Sequence, residues 1–126
     1  LGIGLLAYAP LGLGVLTGKY RHGTPPDSRG ASQSSGAAIR DMLTPARRGI
    51  LDGLAAAADG LAVTPGEVAL AWLGAQRWVT SAVVGARNVQ QLRTSLRSAQ
   101  MQLPEEILRV LDEVSSCTTV PERTMM

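Results

Sequence analysis

A chain of 126 residues, 45% hydrophobic and 17% charged, is long enough for one ordinary core and too apolar to remain disordered. Twelve basic residues against ten acidic ones leave a formal charge of +2 with no basic block, which argues against a nucleic-acid surface. One cysteine, Cys117, and one histidine, His22, exclude an internal disulfide, leave no ligand set for a transition metal and fit a reducing, cytoplasmic setting.

Residues 1–18 carry no charge. A membrane span needs about 20 apolar residues, and Pro10 with Gly2, Gly4, Gly12, Gly14 and Gly18 breaks this run, so a membrane partner is not expected. Ile3 to Tyr8 is expected as a short strand, apolar enough to be buried on both faces of a parallel sheet, with Pro10 ending it. Because the chain opens inside this segment, further sequence is expected ahead of it. Residues 21–44 are polar and without a period, a long loop of the kind that serves as a functional lid or stays unstructured. His22 within it reads as a solvated loop residue.

Four helices then follow. The first is expected over Pro45–Asp59, with Thr44 as cap and Gly60 as its stop. The second opens on the capping box "TPGE", Thr64 to Glu67, and presents Val68, Ala71, Trp72 and Ala75 as its apolar face. A second strand over Val79–Val84 leads through Gly85 to a third helix. Asn88 caps that helix, Gln91 stands at the reciprocal position, and Val89, Leu92 and Leu96 form a buried stripe. The last helix begins at Pro104, with Glu105 and Glu106 where the helix dipole favours acids and Ile107, Leu108 and Leu111 facing inward.

Two stretches invite a phosphate. Gly18-Lys19 is not a Walker A loop, because Leu13 stands where glycine is required and Tyr20 where serine or threonine is. The glycines around it also miss the dinucleotide fingerprint, because Thr17 stands where a glycine should follow Gly12 and Gly14; Gly2, Gly4 and Ala7 fit its looser form but lie in the strand and not after it. What remains is a strand end followed by Pro-Leu-Gly-Leu-Gly, expected to leave backbone N–H groups uncovered, with the chain's only lysine close behind. "GARN" repeats the arrangement: a strand, Gly85, the donor fork of Arg87 and the helix at Asn88. On consecutive parallel strands of a barrel, both would lie on the face where active sites sit.

The runs "GIGLLAYAPLGLGVLTGKY", "PPDSRG", "TPGEVALAWLGAQ", "VTSAVVGARNVQQL" and "LPEEILRVLDEVS" resemble, in order and over essentially the whole chain, the C-terminal part of aldo-keto reductases. The similarity is greatest to the branch with bacterial general-stress reductases and the β subunits of voltage-gated potassium channels. The resemblance implies an α/β fold, the last two strand–helix units and terminal helix of a TIM-type (β/α)8 barrel. It also implies NADP(H) bound without a Rossmann domain and reduction of aldehydes or ketones by hydride transfer. Pyrophosphate-loop roles then fall on Tyr8, Pro10, Leu11, Gly12 and Gly14, with Lys19 as a charged partner and Ala9 in place of the family's serine. Arg29, in a loop expected to cover the cofactor, matches an adenine-side arginine. Gly85, Arg87 and Gln91 match the 2′-phosphate and adenine site, while Thr94 and Ser95 replace a Glu-Asn pair. The family's Asp-Tyr-Lys-His tetrad has no counterpart here, so no residue is given a catalytic role and these residues alone are expected to be inactive. A nucleotide-sensing module without catalysis, or an inactive truncated reading frame, is the alternative.

Overall fold

The computed structural model describes residues 2–116. Two three-residue strands, β1 (Leu6–Tyr8) and β2 (Ser81–Val83), pair in parallel with Leu6 opposite Ser81, Ala7 opposite Ala82 and Tyr8 opposite Val83. Both are shorter than the apolar runs that encode them. Pairing is extended backward by one step, because the Leu5 N–H donates to Thr80 Oγ1 at 3.0 Å and the Thr80 N–H to the Leu5 carbonyl at 2.9 Å. It ends forward at Ala9, whose φ of +50° turns the chain out of the sheet.

Between the strands run α1 (Gly36–Met42), α2 (Pro45–Leu61) and α3 (Pro65–Ala75); α4 (Val89–Gln100) and α5 (Glu105–Ser116) follow. Leu54 and Ala58 of α2, Val68, Ala69 and Ala71 of α3, Leu111 of α5 and Leu103 just ahead of α5 form the main core. The Trp72 indole N–H donates to Asp112 at 2.8 Å and ties α3 to α5. A smaller core of Val15, Tyr20 and Ile39 holds the first loop against α1. The result is a mostly helical α/β arrangement on a small parallel sheet, consistent with part of a barrel.

Several expectations are corrected. Residues 21–44 are not structureless: a short 3-10 turn at Arg29–Ala31 and α1 lie within them. Glycine makes this packing possible, since a Cβ at Gly36 would stand 2.7 Å from the Gly30 carbonyl oxygen. Thr44 precedes α2 in extended conformation but makes no side-chain cap. Gly60 is helical, and α2 stops instead at Ala62, at φ +54°. There the Val63 N–H reaches back to the Ala58 carbonyl at 3.0 Å, a Schellman-type closure that offsets the left-handed alanine. In α3 the burial runs almost all round, Gly66 to Ala71 and Leu73, while Ala75 is exposed.

The largest correction concerns apolar faces. Leu6 and Tyr8 are exposed, Tyr8 at 86%, and only Ala7 and Ala82 turn toward the helices. The stripe Val89, Leu92 and Leu96 on α4 is exposed too. A parallel strand buries both faces only when helices cover one side and further strands or layers the other. Among the described residues nothing covers these surfaces. No single described helix is long and apolar enough to cross a membrane; α2 and α3 pass on length and composition only as a pair bent by 99°.

Candidate functional site

In-register parallel pairing sends the chain out of both strands at the same end. The turn beginning at Ala9 and the turn beginning at Gly85 therefore share one rim.

On the first turn, Gly12, Leu13 and Gly14 all take positive φ, +56°, +57° and +95°. This backbone is folded on itself: the N–H groups of Gly12 and Gly14 donate to the carbonyls of Ala9 at 2.9 Å and Leu11 at 3.0 Å. The expectation of free backbone donors at these two glycines is thus corrected, because the turn uses them internally. Glycine is needed here for conformation and room. A Cβ at Gly14 would stand 2.7 Å from Lys19 Cε and 2.8 Å from its Nζ, so the lysine lies directly against this glycine. Lys19 Nζ also stands 5.3 Å from the centroid of the Tyr20 ring. Pro10 and Leu11 are half-buried beneath the turn, Leu11 packing on the main core.

Tyr20 is a residue that sequence reasoning passed over. It is buried, its hydroxyl accepts the Gly30 N–H at 3.1 Å, and a Cβ at Gly30 would stand 2.6 Å from its ring. The clamp fixes the exposed Arg29 one residue away. A tyrosine beside a lysine carries no local sign of this role, since its partner lies ten residues on.

On the second turn, Gly85 and Arg87 are exposed, and nothing lies within 4 Å of a Cβ placed on Gly85. Asn88 caps α4 by accepting the Gln91 N–H at 2.9 Å. The reciprocal bond falls one residue earlier than expected, with Gln91 Oε1 accepting the Arg87 N–H at 2.8 Å. That bond holds the Arg87 backbone, while its guanidinium has no partner among the described residues. The open rim is not a closed pocket. A groove of about 400 Å³ lies against the first turn, lined by Gly12 of that turn, Val15, Leu16, Met42 and Ile50, with Arg47 beside them.

Behind both turns sits a buried charge. Glu67, 2% exposed, accepts the Thr64 N–H at 2.9 Å and the Thr64 hydroxyl at 2.8 Å on one oxygen, and Arg97 at 2.7 Å on the other. Burial by itself would raise the carboxyl pKa. The hydrogen bonds from Thr64 and the adjacent Arg97 outweigh burial and hold it below the ordinary carboxylate range. The capping box was legible in "TPGE"; the arginine 30 residues away was not.

With this geometry in place, the comparisons are specific. The sequence profile of the Aldo/keto reductase family matches residues 1–116. The chain is 32% identical over 130 residues to Protein tas of Escherichia coli, covering 95% of this chain and 34% of that protein. It is 36% identical over 115 residues to a probable voltage-gated potassium channel subunit beta of Arabidopsis thaliana, covering 90% and 34%. An L-glyceraldehyde 3-phosphate reductase of Escherichia coli O157:H7 is 37% identical over 101 residues, covering 77% and 29%. The chain spans about a third of the length of these relatives.

Proposed function

This chain belongs to the aldo/keto reductase family, and from that premise we propose that it forms the nucleotide-holding C-terminal part of an NADPH-dependent oxidoreductase acting on aldehydes or ketones in the cytoplasm. One observation carries the reading: two glycine-containing turns leave the same end of an in-register parallel pair, one bearing the only lysine and the other an arginine whose guanidinium has no partner among the described residues. Both cations are exposed, and the backbone that carries each is braced by hydrogen bonds. A dinucleotide with a pyrophosphate and a 2′-phosphate presents anions to two such points.

The residues present fit that group. Gly14 leaves the space that Lys19 occupies, and a side chain there would displace the cation from the turn. Lys19 would meet the pyrophosphate, with Pro10, Leu11, Gly12 and Gly14 shaping the turn beneath it. Arg87 would take the 2′-phosphate with its fork of donors, which favours NADP(H) over NAD(H). Gln91, whose amide nitrogen has no partner among the described residues, and Arg29 would face the adenine end. Tyr8, at the end of β1, would lie near the nicotinamide. Bound NADPH supplies the hydride. This chain's residues hold and orient; none of them is assigned proton transfer, and a tetrad for that step belongs to the remainder of a barrel packed on the open faces of β1, β2 and α4.

Titration of the intact protein with NADPH and NADH, followed by cofactor fluorescence, tests the assignment. Arg87→Ala is expected to weaken NADPH by about tenfold or more, the size of a lost hydrogen bond to a charged group, and to leave NADH nearly unchanged. Equal losses for both would remove the 2′-phosphate role. Oxidation of NADPH by a small aldehyde separates a reductase from a nucleotide-sensing module.

A further inference from the structure

The first turn of α3 touches both halves of the proposed nucleotide site. On one side, a Cβ at Gly66 would stand 3.6 Å from the Thr17 methyl and 3.9 Å from Leu11 Cδ2, and one at Gly18 would stand 3.4 Å from Pro65 Cγ. Thr17 in turn donates to the Gly14 carbonyl at 2.7 Å. On the other side, Glu67 of the same turn holds Arg97 of α4 at 2.7 Å. That helix carries Gln91, which fixes the Arg87 backbone. Lys19 and Gly14 are thus linked to Arg87 through Thr17, the closely approached first turn of α3, the Glu67–Arg97 pair and the length of α4.

We infer that Arg97 is a positioning residue: through Glu67 it locks α4 to the Thr64–Glu67 turn, so that the lysine-bearing and arginine-bearing turns are held in one fixed spacing. The inference rests on the nucleotide reading above. It goes beyond that reading by making the two turns interdependent, with affinity at one sensitive to a lesion that touches neither. The asymmetry of the pair supports this. Glu67 is nearly fully buried with every acceptor bond aimed at Thr64 or Arg97, while the Arg97 side chain is 67% exposed. The carboxylate is thus built into α3, and the arginine is the removable bolt.

The test uses the intact protein with Arg97→Leu, Arg97→Lys and, as control, Asp52→Asn, which removes the exposed 3.7 Å pair with Arg21 from the α2 side. Two quantities are read: amide exchange across residues 12–18, and the NADPH dissociation constant. Arg97→Leu is expected to speed exchange in that loop and weaken NADPH between about twofold and thirtyfold, the range for residues that modulate coupling without touching ligand. Lysine should restore most of both; the control should move neither. Unchanged exchange across residues 12–18 in Arg97→Leu, or lysine as damaging as leucine, overturns the inference. If the parent protein binds no NADPH, the nucleotide reading falls by itself, and the exchange arm still decides whether Arg97 holds the distant loop.

Discussion

At Gly14 the chain needs two things that only glycine supplies, a φ of +95° and an empty space where Lys19 lies. Gly14→Ala is therefore expected to destabilise the fold by about 1–3 kcal/mol through backbone strain and to push the lysine off the turn, weakening cofactor binding as well. Thermal melts beside NADPH titration check both effects; a variant that loses stability yet binds normally would free Lys19 from any phosphate role. Ala9 offers the opposite experiment. The resemblance puts a serine here, and restoring it with Ala9→Ser is expected to tighten NADPH by about tenfold, one hydrogen bond to a charged acceptor. An unchanged dissociation constant would mean that this position does not face phosphate. At this scale the sequence shows which residue types follow each strand, but not how the turn uses them. Whether Gly12 and Gly14 keep their N–H groups free depends on turn dihedrals that one-dimensional spacing does not encode.

The capping box of α3 is the element whose sequence signature and geometry agree most closely, with Thr64 and Glu67 exchanging both bonds. Its acid sensitivity follows from the lowered Glu67 pKa. A carboxylate favoured by the fold contributes stability that is complete above the unfolded value, about 4.3, and is lost as pH falls through the lower folded value. Melting temperature should thus drop on acidification below that point. Glu67→Gln should lower stability near neutral pH and flatten the acid limb, and an unaltered limb would show that other groups govern it. The end of α2 was harder to read. Gly60 is the residue whose type suggests a stop, yet Ala62 takes the left-handed position because the closing bond from Val63 fixes where the helix must stop. Ala62→Gly is expected to stabilise by about 1 kcal/mol, the cost of a left-handed alanine relative to glycine, raising the melting temperature. The α4 stripe failed for a different reason. Its period was read correctly, but periodicity states only which residues share a face, and the cover for that face is not among the described residues.

For the whole molecule, the same logic applies to Ile3, Leu6, Tyr8, Val83, Val89 and Leu96, which together leave the open side of the sheet and of α4 strongly apolar. Expressed as these 126 residues alone, the chain is expected to self-associate through this side and its unpaired strand edges. Light scattering after gel filtration checks this. Leu6→Lys with Leu96→Glu should shift the material toward monomer, whereas a monomeric parent with a cooperative melt would mean that the open side needs no cover. Parallel strands were legible in the composition of two short runs; their register was not, and register is what brings the two turns to one rim. The most direct measurement is therefore a crystal structure of the intact protein with NADP+. The account predicts the pyrophosphate against Lys19 and Gly14 and the 2′-phosphate on Arg87. A nucleotide bound at only one of these turns, or away from both, would contradict it.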